Sequence, residues 1–130
     1  MHMDRLVPLL NVEDTEQSIA FYTATLGFQV AETAEADGRT VWALLRNGSV
    51  TLMINRTSHA DSAARRRRPS YGDAVLYITV PSARETHAAL RAGGMAAGEV
   101  ALEAYGMEAF SLRDPDGYEI AIGSPVMRIA

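Results

Sequence analysis

The sequence predicts an α+β domain made of two successive β-α-β-β-β modules, and three observations carry that prediction. Two segments resemble each other: "VPLLNVEDTEQSIAFYTATLGFQVAE" and "AVLYITVPSARETHAALRAGGMAAGEV". Each opens with a short apolar strand and continues into a helix that has both a start and a stop signal. Each is then followed by further alternating apolar stretches bounded by turn residues. The spacing of the two segments, about 65 residues, is too long for a solenoid and reads as an internal duplication.

In the first module, about residues 5–56, Asp14 and Gln17 have capping-box spacing at the start of the helix, and Gly27 marks its end. Ile19, Tyr22 and Leu26 form its apolar stripe. Strands are expected over residues 28–34, 41–46 and 50–55. Asn47-Gly48 between two apolar runs is a strong hairpin signal. With those two residues as the loop, Trp42 faces Met53 and Leu44 faces Thr51, all on one face, while Leu45, Leu52 and Ile54 share the other.

In the second module, about residues 73–124, Ser82 and Glu85 repeat the capping spacing and Gly93-Gly94 stop the helix. Strands are expected over residues 97–103, 107–113 and 119–123, with "DPDG" as a tight turn closed by Gly117. Val75, Tyr77 and Thr79 share one face of the module-opening strand. Met107, Ala109 and Ser111, and Glu119, Ala121 and Gly123, face the same way on the later strands. Phe110, Leu112, Ile120 and Ile122 point to the helix side.

Composition narrows the function classes. The chain has 130 residues, 48% hydrophobic and 22% charged, with a formal net charge of −4. This is one soluble domain by length, and its mild acidity argues against a nucleic-acid binder. With no cysteine, neither a disulfide framework nor a thiolate metal site is possible, which fits a reducing compartment such as the cytoplasm. No apolar run is long enough for a signal peptide core or a membrane span. The run Arg65, Arg66, Arg67, Arg68, in a polar linker over residues 57–72, reads as a solvated loop. A phosphate or carboxylate contact is the competing reading.

The stretches "LNVEDTEQSIAFYTATLGFQV", "LMINR" and "YGMEAFSLRDPDGYEIAIG" resemble the vicinal oxygen chelate superfamily, which includes glyoxalase I, extradiol dioxygenases and bleomycin-binding proteins. The resemblance covers about residues 5–124. It implies a cup-shaped, eight-stranded mixed sheet with helices on the convex face and the site inside the cup. It also implies that metal-dependent relatives draw ligands from four positions, which here are Val7, Thr51, Val75 and Ala121. None of these is a His, Cys or carboxylate donor, as zinc, manganese or iron sites require. His2, His59 and His87 lack ligand spacing, and His87 reads as a helix-packing residue. No metal and no cofactor are therefore expected.

By character the chain is most similar to the metal-free bleomycin-resistance type. That resemblance implies a cytoplasmic homodimer that sequesters an antibiotic or similar natural product without turnover, with no nucleic-acid or membrane partner. The expected ligand-binding residues are Trp42, Thr51, Met53, Val75, Tyr77, Met107, Ser111, Glu119 and Ala121. Trp42 and Tyr77 would offer aromatic faces, and Met53 and Met107 adaptable apolar ones. The alternative is a lyase, isomerase or dioxygenase-like enzyme working without the usual metal. Glu119, Glu108, Asp73 and Tyr77 are its candidate acid–base groups, but no nucleophile–base pair is readable, so no catalytic residue is assigned.

Overall fold

The computed structural model describes residues 1–126. The chain forms two compact units, Met1–Ser62 and Ala63–Ala130. The first holds β1 (Leu9–Val12), α1 (Thr15–Ala20), β2 (Gln29–Ala36), β3 (Arg39–Asn47) and β4 (Val50–Arg56). The second holds β5 (Leu76–Thr79), α3 (Ala83–Ala92), β6 (Ala101–Leu102), β7 (Met107–Arg113) and β8 (Glu119–Pro125). A short helix, α2 (Ser62–Arg66), lies at the boundary. The eight expected strands pair as two mixed sheets of four, in the orders β1-β4-β3-β2 and β5-β8-β7-β6. In each, the module-opening strand pairs in parallel with the module-closing one.

Both helix starts are capped as the spacing predicts. The Asp14 carboxylate accepts from the Gln17 N–H at 3.1 Å, and the Ser82 hydroxyl from the Glu85 N–H at 3.2 Å. After α3, Met95 N–H donates to the Leu90 carbonyl and Gly94 N–H to Arg91. With Gly94 at φ 87°, this is a Schellman ending. The first helix differs from expectation: after Ala20 it widens into a π-helical turn, Phe21–Thr25. That turn brings Tyr22 into the core, edge-on to both Phe21 and Phe28.

In the first unit, Leu10, Val12, Ala43, Leu45, Leu52 and Ile54 are buried on the helix side of the sheet. In the second, Phe110, Leu112, Ile120 and Ile122 play that part, as the alternation predicts. His87 packs edge-on against Phe110, with 4.9 Å between ring centroids. Its Nε2 lies 2.8 Å from the Gly98 carbonyl oxygen, so it is a packing residue.

Three expectations need correction. First, the β3–β4 loop is Gly48-Ser49, because Asn47 pairs with Val50. Trp42 therefore faces Asn55, and Met53 faces Leu44. An Asn-Gly loop of the type I′ form needs two positive-φ residues. Asn47 instead remains in the strand, and its side-chain amide donates to the Leu26 carbonyl near the end of the first helix, at 3.0 Å. Only Gly48 takes a positive φ, 58°. The slip is by two residues, so the grouping of side chains by face survives.

Second, β6 is only Ala101–Leu102 rather than a strand through residues 97–103. Third, the arginine run is not a solvated loop throughout. The Arg65 guanidinium stacks 3.9 Å from the centre of the Tyr118 ring and donates to the Asp116 carbonyl at 3.0 Å. Arg66 donates twice to the Pro115 carbonyl. In return, Arg113 donates to the carbonyls of Arg65 and Arg68. The linker is thus docked onto the "DPDG" turn.

Candidate functional site

Each sheet has a second face, away from its helix. In the first unit this face carries Trp42 opposite Asn55, Leu44 opposite Met53, and Arg46 opposite Thr51. The parallel pairing adds Asn11 beside Asn55 and Leu9 beside Met53. The Asn55 side-chain amide donates to the Asn11 carbonyl oxygen at 3.0 Å. Trp42, Thr51, Met53 and Asn55 are all half-buried. An indole, a thioether and a paired amide are therefore within one another's reach on one surface. The amide pair was not anticipated, although its place across from Trp42 follows once the register is known. Val7 precedes β1 and is half-buried.

In the second unit the corresponding face carries a row formed by Tyr77, Ala121 and Ser111, which are consecutive cross-strand partners. The next row is Thr79, Gly123 and Ala109. Met107 stands opposite Pro125 at the end of the ladder. Val75 lies just before β5, so Tyr77 and not Val75 is the partner of Ala121. Ala121 is completely buried, and the helix-side residues Phe110, Leu112, Ile120 and Ile122 around it are buried too. The ladders also relate the two modules. The core pairs Leu10–Ile54 and Ile78–Ile122 are counterparts, and Leu9–Met53 and Tyr77–Ala121 immediately precede them.

Two tyrosines that sequence reasoning passed over complete this face. The Tyr105 hydroxyl donates to Tyr77 at 3.4 Å, with the two rings edge to face at 6.2 Å. Donating that hydrogen bond is the main reason the Tyr105 phenol is pushed up to about 12. Tyr71 hydrogen-bonds to Ser111. Burial is the main influence on the Tyr71 phenol and raises it; the Ser111 hydrogen bond opposes this, while Tyr105, Glu103 and Glu119 reinforce it. Both phenols thus stay protonated through the neutral range. Their only sequence signal was tyrosine in loops, "PSYG" and "EAYG", each followed by glycine.

The candidate acid–base groups are all engaged. Glu119 is buried, and its carboxylate accepts from the Ser70 hydroxyl and from the Tyr71 N–H. Glu108 pairs with Arg84 at 3.0 Å, and Asp73 with Arg68 at 3.2 Å. Among the described residues, no three His, Cys, Asp or Glu side chains gather as a metal-ligand set. Among the described residues, no helix is long and apolar enough to cross a membrane.

Paired β-α-β-β-β modules, each with a mixed apolar and polar face away from its helix, define a class of fold. A family model places the chain within it. Residues 2–122 match the Glyoxalase/Bleomycin resistance protein/Dioxygenase superfamily, and the chain belongs to that superfamily. Comparison with curated protein sequences gives no match.

Among solved structures, the chain is similar to the bleomycin-binding protein of bleomycin-producing Streptomyces verticillus, complexed with copper(II)-bleomycin. The identity is 22%, 98% of this chain and 99% of that one are covered, and the TM-score is 0.67. It is also similar to a bleomycin resistance determinant encoded on the transposon Tn5, at 20% identity, 96% and 100% coverage and a TM-score of 0.72. A third is TnmS3, an antibiotic binding protein from Streptomyces sp. CB03234, at 20% identity, 95% and 99% coverage and a TM-score of 0.65. At these identities the likeness is one of fold.

Proposed function

We propose that this chain is a metal-free small-molecule binding protein of the bleomycin-resistance type, which sequesters an antibiotic or similar natural product and does not transform it. The observation that carries this reading is the donor set. The resemblance assigns the metal ligands of metal-dependent relatives to Val7, Thr51, Val75 and Ala121, and none of the four is a nitrogen or carboxylate donor. Two further features support it. The open sheet faces offer aromatic rings and hydrogen-bonding groups in place of acids and bases free to act. The solved structures with this fold include proteins whose names record bleomycin or antibiotic binding.

The working form is a homodimer, because two open sheets leave edges that pairing would cover. Light scattering is expected to give twice the chain mass. The absence of cysteine suits a cytoplasmic setting.

The test is a thermal-shift screen over natural-product antibiotics and small metabolites, with each hit then incubated and analysed by chromatography. A saturable shift with the ligand recovered unchanged is the expected result. Conversion of a hit to product would overturn the binding reading in favour of an enzyme.

A further inference from the structure

Tyr71 has an unusual backbone. It sits at φ 59°, the left-handed region, where a bulky side chain is an outlier. Such strain persists only where the surroundings over-determine it. Glu119 supplies the restraint. From β8 its carboxylate takes the Ser70 hydroxyl on one oxygen and, at 2.7 Å, the Tyr71 N–H on the other. The ring so placed meets Ser111, next in the row to Ala121 and Tyr77.

The result is not a packed core. Tyr71, Tyr77 and Tyr105 remain 55%, 39% and 60% exposed. Tyr77 accepts from Tyr105, and Tyr71 hydrogen-bonds to Ser111. The Tyr77 proton is therefore left to offer to a guest, and the exposed Tyr71 phenol carries a hydroxyl that can donate as well as accept.

We propose that Glu119 is a positioning residue which holds the Tyr71 ring, together with Tyr77 and Tyr105, against a flat aromatic ligand bearing neutral acceptor oxygens. This rests on the reading of the chain as a small-molecule binder and names the chemistry that its second unit takes. The rings supply faces and edges for an aromatic surface. The phenols supply donors for ring carbonyls. Glu103 and Glu119 beside them disfavour an anionic acceptor.

A matched pair of neutral probes tests this: 2-(hydroxymethyl)anthraquinone and 2-(hydroxymethyl)anthracene, which differ in the ring carbonyls, measured by equilibrium dialysis. The intact protein is expected to bind the quinone about tenfold more tightly than the hydrocarbon, since about 1.4 kcal/mol is a factor of ten. Tyr71→Phe should erase most of that preference. Tyr71→Gly relieves the left-handed strain, so it should weaken quinone binding about tenfold without lowering the melting temperature. Glu119→Gln keeps an acceptor for the Tyr71 N–H and should bind within about threefold of the parent. Glu119→Ala should bind as Tyr71→Gly does.

Quinone affinity unchanged in Tyr71→Gly, or no preference for the quinone in the parent, would overturn the proposal. A natural product from the wider screen that binds the parent and Tyr71→Gly equally would end this assignment while leaving the small-molecule-binding reading intact. Turnover of a hit would end that reading instead.

Discussion

The ring of Tyr77 lies across Gly123. A methyl group at position 123 would come within 2.9 Å of the Tyr77 Cζ, and closer still to its hydroxyl oxygen. The absence of a side chain at 123 is what lets the phenol lie over the sheet and accept from Tyr105. Gly123→Ala should therefore push the ring outward and break the Tyr77–Tyr105 contact. Only the far end of a partly exposed side chain has to move, so the stability cost should stay below about 1.5 kcal/mol. The readout is a spectrophotometric tyrosine titration. One phenol in the parent ionises at about 12, and in the variant it should return towards ~10.

The same phenol sets a pH dependence. Its folded value is raised, so folding favours the protonated form. That contribution is complete below the ordinary tyrosine value and is lost as pH rises through about 12. Urea midpoints measured from pH 9 upward should fall across this alkaline range in the parent. The fall should be smaller in Tyr105→Phe.

Gly117 is a sharper case. It holds φ 87°, and a Cβ there would come within 2.7 Å of the Arg66 nitrogen and 3.0 Å of the Arg65 carbonyl carbon. These are backbone atoms of the docked linker and have little room to move. Gly117→Ala should cost about 2–4 kcal/mol, from left-handed strain together with the displaced linker. Chemical denaturation would register this as a lowered midpoint. An unchanged midpoint would mean that the linker is not seated on the turn.

The modular order was legible because its signals are local. Asp14 and Ser82 cap within three residues of themselves, Gly94 closes its own helix, and Ile120 and Ile122 alternate in a single strand. The face assignments of Trp42, Met53, Tyr77 and Ser111 followed from period two and survived an error in register. What was not legible depended on partners distant in sequence. Asn47 is drawn out of the hairpin loop by a carbonyl at Leu26. The linker arginines are bound by carbonyls at Pro115 and Asp116. Tyr71 and Tyr105 reach the open face only because Glu119 and Tyr77 receive them. Charge and loop position made these residues read as solvent-facing, and pattern alone gave no reason to doubt it.

The arginine run can be divided by substitution. Arg65→Ser removes a stacked guanidinium and a hydrogen bond to the Asp116 carbonyl, and should cost about 1–2 kcal/mol. Arg67 is exposed, and Arg67→Ser should change stability by no more than about 0.5 kcal/mol. Equal effects at the two positions, measured by urea denaturation, would contradict the docking of Arg65.

The proposed reading as a metal-free binder carries an expectation of metal independence. Purified protein should hold divalent metal well below one equivalent per chain by elemental analysis, and EDTA should leave its melting temperature unchanged. One tightly held equivalent, removable with loss of stability, would show that ligands come from residues other than Val7, Thr51, Val75 and Ala121.

Trp42 gives the most direct report on the first unit. It is the only tryptophan, it is half-buried, and it lies on the face opposite the buried Ala43, Leu45 and Ile54. Its cross-strand partner Asn55 is tied to Asn11, so the indole stands beside a fixed amide pair. A ligand found by the thermal-shift screen should quench or shift its emission saturably. Trp42→Ala should weaken that ligand by ~1–3 kcal/mol if the indole stacks on it. Because the residue is off the helix-side core, the loss of folding stability should fall short of the about 3–5 kcal/mol of a buried tryptophan. A full core-sized loss of stability with ligand affinity intact would assign Trp42 to packing and remove this face of β3 and β4 from the binding surface.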